Sequence, residues 1–138
     1  MIALTRRYHF AAAHVLCHPS FSPEENERVY GKCANPAGHG HNYEIELTVS
    51  GPVDEHTGSI VDCERLDALF EERIAARFGH RLLNEDELFR EHVPTAENLA
   101  RAIYDQLEAP LVEEGSARIV RVRVNETRRN SFVYGEPR

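Results

Sequence analysis

The run Gly40-His41-Asn42-Tyr43-Glu44-Ile45-Glu46-Leu47-Thr48-Val49-Ser50-Gly51 decides the fold. His41, Tyr43, Ile45, Leu47 and Val49 share one parity, and Glu44, Glu46 and Thr48 the other. That two-residue period belongs to a strand with one buried and one polar face. Upstream, residues 2–14 show the same habit, with Tyr8, Phe10, Ala12 and His14 on one parity and Thr5, Arg7 and His9 on the other. Between them, residues 15–38 carry Pro19, Pro23, Pro36, Gly31 and Gly38 and read as a long loop, with one helical turn around Glu24-Glu25-Asn26-Glu27. Long loops in compact domains are often functional.

Downstream the period changes to that of helices. Asp62 can cap a helix whose apolar positions are Leu66, Leu69, Phe70, Ile74 and Phe78, with Gly79 placed to end it. Pro94-Thr95 opens a second helix, in which Thr95 caps the amide end and Leu99, Ile103 and Leu107 form a buried stripe before Pro110. A third strand is expected from Ala117 to Thr127, with Val120, Val122, Val124 and Glu126 on one face and Arg121 and Arg123 on the other. A fourth runs from Ser131 to Tyr134, after the Arg128-Arg129-Asn130 turn. The order β-β-α-α-β-β predicts an α+β domain over 1–138, an antiparallel sheet with both helices on one face. Its other face would mix opposite charges as cross-strand pairs, and its two free edges favour a homo-oligomer.

Composition limits the function. The 138 residues hold 16 Lys+Arg against 23 Asp+Glu, a net charge of −7 that argues against general binding to nucleic acid. No stretch approaches the roughly 20 apolar residues of a membrane span. The opening residues lack the apolar core of a signal peptide, so a cytoplasmic location is expected. Cys17, Cys33 and Cys63 are an odd and sparse set that fits reduced thiols.

His39 and His41 leave the same face of an extended segment, and an antiparallel partner strand would bring His14 beside them. Three neutral imidazoles with an open fourth position make a catalytic zinc site. Two other readings stay open: three unrelated core histidines, or a closed structural site with Cys33 as fourth ligand. Glu126 shares the parity of its apolar neighbours and needs a partner such as a planar ligand edge with two N–H donors, unless it reaches solvent at the strand end. Cys33 follows Lys32 in a glycine-rich loop, where a cation or metal would favour thiolate; as a plain small hydrophobe it would have no such role. His80 suits acid–base work near neutral pH, or a cap at a helix end.

These residues resemble a known family. Phe10-Ala11-Ala12-Ala13-His14 and Tyr30-Gly31-Lys32-Cys33-Ala34-Asn35-Pro36-Ala37-Gly38-His39-Gly40-His41-Asn42-Tyr43 are similar to the signature of the 6-pyruvoyl-tetrahydropterin synthases. The likeness continues through Gly58-Ser59-Ile60-Val61-Asp62, His80-Arg81-Leu82-Leu83-Asn84, Pro94-Thr95-Ala96-Glu97-Asn98 and Val124-Asn125-Glu126-Thr127. It implies the tunnelling fold, in which trimers close their sheets into barrels and two trimers stack into a homohexamer. It also implies a reaction, conversion of 7,8-dihydroneopterin triphosphate to 6-pyruvoyl-tetrahydropterin with loss of triphosphate. On this resemblance His14, His39 and His41 hold Zn2+, Cys33 is the proton-transferring base, Glu126 grips the pterin edge and Thr95 helps hold the ring. His80 belongs to a relay in which an aspartate usually precedes the histidine, and here that position is Gly79. Either His80 acts alone, or Glu85, Asp86 or Glu87 approaches it, or activity is weak or altered. The nearest rival is 6-carboxy-tetrahydropterin synthase of the queuosine pathway, which releases acetaldehyde. A folate-pathway relative generally carries glutamate at the place of Cys33, and a zinc-and-pterin-binding protein without turnover is the reading from another class.

Overall fold

A computed structural model describes residues 1–136. Four strands, β1 (Ile2–His14), β2 (His39–Gly51), β3 (Arg118–Asn125) and β4 (Ser131–Gly135), form one antiparallel sheet in the order β1-β2-β3-β4. The predicted turn around Glu24–Glu27 is a full helix, α1 (Pro23–Tyr30), with Ser22 capping Glu25 N–H. A short 3-10 turn, Gly31–Ala34, leads on from it.

The second helix, α2, runs as Cys63–Phe70, widens into a π-turn at Glu71–Ala75 and finishes at Ala76–Phe78. The widening has a cause in the sequence. Phe70, Ile74 and Phe78 recur every four residues, and an α-helix would rotate each by roughly 40° from the last. One π-turn keeps all three in the core. Asp62 caps α2 as expected, accepting from the N–H groups of Glu64 and Arg65 at 3.0 and 3.4 Å.

The third helix, α3 (Ala96–Glu114), differs from expectation by continuing through Pro110. An interior proline costs about 3 kcal/mol. Burying Leu111 in the extra turn offsets roughly 1.5–3 kcal/mol of that cost. Residues from β1, β2, β3, α2 and α3 share one core, in which Tyr43, Ile45, Leu47, Val49, Ile74, Leu99 and Ile103 are sealed from solvent.

The expected parity of β3 also needs correction. Thr48 pairs with Arg121 and Val49 with Ile119, so Val120 is the extra residue of a β-bulge. Ile119 is therefore buried where Val120 was expected, and the Val120 carbonyl accepts the N–H of Glu136 at 3.0 Å. Beyond the bulge the predicted phase holds, with Val122 and Val124 buried.

The other sheet face is the cross-strand network of opposite charges that the sequence implies. Asn125 donates to Glu44 and Glu46 at 2.9 Å, Arg7 lies 3.4 Å from Glu46, and the Thr5 and Thr48 hydroxyls are 2.8 Å apart. A clasp not foreseen in the sequence joins β1 to α2. Arg6 makes two hydrogen bonds to Asp67, at 2.6 and 2.7 Å, Tyr8 donates to the same carboxylate at 2.8 Å, and the Tyr8 ring stacks on Phe70.

Candidate active site around three histidines

The strand register assembles the histidines. His14 is the direct partner of His39 across β1 and β2, and Ala12 that of His41. His14, His39 and His41 thus occupy neighbouring positions on the core-facing parity, at the end of the sheet. Nε2 of His14 lies 2.8 Å from Nε2 of His39 and 3.2 Å from Nε2 of His41. One ligand atom from each falls within 4.8 Å of the others, and among the described residues this is the group of three that could hold a metal ion.

The protonation pattern suits a cation. The Pro94 carbonyl accepts a hydrogen bond from Nδ1 of His14 at 2.7 Å, so Nδ1 carries the proton and Nε2 turns its lone pair inward. Burial pushes the His14 imidazole below its ordinary value, opposed by the Pro94 bond and reinforced by His39. Burial, and then His39, does the same to His41. Both are neutral at pH 7, as ligands must be. Three Zn–N bonds of about 2.0–2.1 Å in a tetrahedron put the nitrogens roughly 3.3 Å apart, against 2.8 and 3.2 Å for the two pairs that His14 makes, so small side-chain shifts fit the residues present to zinc.

Around the cluster, Tyr43 brings its hydroxyl to 3.4 Å from His14 Nδ1. Burial first, and then Glu126, pushes the Tyr43 phenol above its usual range. Glu126 follows the last residue of β3 and is half-buried. Burial raises its carboxyl, His14 and His39 pull it down, and Glu97 adds to the rise. The Glu126 carboxyl is thus within electrostatic reach of His14, His39 and Glu97. Thr95 caps α3, accepting from Asn98 N–H at 3.2 Å, directly after the Pro94 carbonyl that orients His14.

Cys33 is half-buried in the 3-10 turn and its carbonyl accepts from Leu16 N–H at 2.8 Å, which holds the turn close to His14. Asn84 fastens the same exit of β1, its side chain bonding both N–H and C=O of Val15 at 2.8 Å. All three cysteines are free. His80 is not joined to Cys33 by any hydrogen bond among the described residues. It lies beside the outer edge of β1, with its N–H donating to the Ala11 carbonyl at 2.6 Å. Gly79 ends α2, as the sequence implies, but in an extended conformation; the left-handed residue is His80, at φ 58°.

The roles of Pro94, Glu97 and Asn84 escaped the sequence reading. A backbone carbonyl has no residue signature, and Glu97 reads simply as first-turn acid at a helix N-terminus. No helix among the described residues is long and apolar enough to cross a membrane.

The structure is similar to that of Caenorhabditis elegans 6-pyruvoyl tetrahydropterin synthase, with a TM-score of 0.90 and 31% identity over 99% of this chain and 96% of that one. In sequence the chain is 40% identical over 135 residues to 6-pyruvoyl tetrahydrobiopterin synthase of Drosophila melanogaster, covering 97% of this chain and 79% of the relative. It is also 33% identical over 136 residues to 6-carboxy-5,6,7,8-tetrahydropterin synthase of Bacillus subtilis (strain 168), covering 95% and 83%. The family profile described as 6-pyruvoyl tetrahydropterin synthase matches residues 3–137. The fold and its relatives define a pterin-acting lyase with the tunnelling fold. The chain belongs to the 6-pyruvoyl tetrahydropterin synthase family.

Proposed function

We propose that this chain converts 7,8-dihydroneopterin triphosphate to 6-pyruvoyl-tetrahydropterin, with Zn2+ held by His14, His39 and His41. The observation that carries the reading is the convergence of three imidazoles, with the half-buried Glu126 carboxyl feeling the charge of two of them. Bound zinc would act as a Lewis acid on the substrate's side-chain oxygens. Glu126 accepts two N–H bonds from the 2-amino and ring N–H edge of the pterin, a bidentate match to its half-buried carboxylate. Thr95, at the start of α3, helps fix the ring. Cys33 removes a proton from the side-chain carbon as thiolate, and His80 exchanges protons on the other side of the reaction.

The charged sheet face and the free edges of β1 and β4 support closure of the sheet with further copies, as a dimer of trimers in the cytoplasm. The elimination releases triphosphate, and the side chain is redistributed by internal redox, so no external reductant enters.

A metal-replacement assay tests this. Chelator-treated protein should release no triphosphate, and about one zinc per chain should restore release. Full activity in metal-free protein would overturn the assignment. The similarity to the Bacillus subtilis relative supports a second reading, 6-carboxy-tetrahydropterin formation with release of acetaldehyde.

A further inference from the structure

His80 is the non-glycine residue with positive φ among those described, and such a conformation costs about 1–3 kcal/mol unless its surroundings impose it. Two backbone bonds do so. His80 N–H donates to Ala11 at 2.6 Å and Ala13 N–H donates to Arg81 at 2.9 Å, tying the segment to the edge of β1. Held there, His80 borders two hollows. One, of about 430 Å³, includes Ala11, Gly40, His41 and Asn42; the other, of about 390 Å³, includes Arg77, Arg81, Glu85 and Asp86.

An imidazole that exchanges protons gains from a carboxylate that fixes its tautomer and stabilises its charged form. Position 79 cannot supply one: a Cβ on Gly79 would stand 2.5 Å from the Ala75 carbonyl oxygen, at the end of the π-turn. Asp86 is already engaged. Its two oxygens accept from Nε and Nη2 of Arg77 at 2.8 Å, and one also accepts Leu88 N–H at 2.9 Å. Glu87 lies outside the hollow. Glu85 remains, at the end of a 3-10 turn pinned by buried Leu83, exposed and without a side-chain hydrogen bond among the described residues.

We propose that Glu85 is the positioning residue of His80, its flexible side chain reaching across the hollow they share to pair with the imidazole. The inference rests on the reading that His80 exchanges protons in the reaction. Arg77, Arg81 and Asp86 face His80 from its own loop and α2, and His41 from β2 across the other hollow.

The test uses the zinc-loaded full chain with 15N-labelled histidine, following the His80 ring nitrogens by NMR against pH, beside steady-state kinetics. Glu85→Gln should lower the His80 titration midpoint by roughly half a unit to one unit. It should also lower kcat about tenfold with KM within about twofold, and Glu85→Asp should recover most of both. A His80 midpoint and tautomer unchanged in Glu85→Gln overturn the proposal, as does an equal shift in Glu87→Gln. If His80→Asn keeps full turnover while Glu85→Gln still moves the midpoint, the pairing stands and the role of His80 in the reaction falls.

Discussion

Pro94 and His14 are 80 positions apart in the chain, yet the Pro94 carbonyl accepts the His14 Nδ1–H at 2.7 Å. This bond joins the start of α3 to the end of β1. It sets the His14 tautomer, so the inward direction of the Nε2 lone pair is built into the packing of helix on sheet.

Metal retention should follow that arrangement. His39→Ala or His41→Ala should reduce bound zinc from about one per chain to a small fraction in elemental analysis after dialysis, while the circular dichroism spectrum is kept. Zinc retained in full by both variants would mean that the three imidazoles do not form the site.

Cys33→Ala separates two roles for the thiol. As the base, Cys33 should be removable with zinc retained and kcat lowered by roughly 10²–10⁴-fold. As a fourth ligand its loss would carry the metal away.

Glu126→Gln removes one acceptor from the pterin edge. Losing a charged hydrogen bond of about 1.5–3 kcal/mol lowers kcat/KM by roughly 10- to 100-fold. Burial raises the Glu126 carboxyl, so proton uptake on acidification sets in above the usual carboxylate range and weakens binding as pH falls. Profiles of kcat/KM against pH should show this acid limb in the parent and not in the variant.

The Arg77–Asp86 pair braces the loop that holds His80. Burial pushes the Asp86 carboxyl up, but the hydrogen bonds from Arg77 and Leu88 N–H outweigh it and hold the group below its ordinary value of 3.8. A carboxyl depressed on folding stabilises fully above its unfolded value, and that contribution fades as pH falls through the folded one. Asp86→Asn should therefore cost roughly 1–2 kcal/mol at pH 7 in urea unfolding, a difference that shrinks at strongly acid pH. An equal loss at both pH values would contradict the ion-pair account.

Much of this was legible in the sequence because it depends on local periods. The alternation in 40–51 fixed the buried face of β2 and brought His39 and His41 out together, and the caps at Asp62 and Thr95 lie where the sequence puts them. The bulge at Val120 was not legible, since a strand shows its period but not where its partner skips a residue. Helix α3 continues through Pro110 against local propensity, with Leu111 buried beyond it. At the site, the three histidines could be grouped from parity alone. The Pro94 carbonyl on His14 depends on a contact between distant segments, and the lack of room at Gly79 on the turn geometry just before it, neither of which any spacing encodes.

Zinc-loaded protein should be given 7,8-dihydroneopterin triphosphate, with the pterin product identified by mass spectrometry and acetaldehyde assayed in parallel. The expected products are 6-pyruvoyl-tetrahydropterin and triphosphate, without acetaldehyde. A 6-carboxy product with stoichiometric acetaldehyde, or intact substrate bound without turnover, would contradict the proposed reaction.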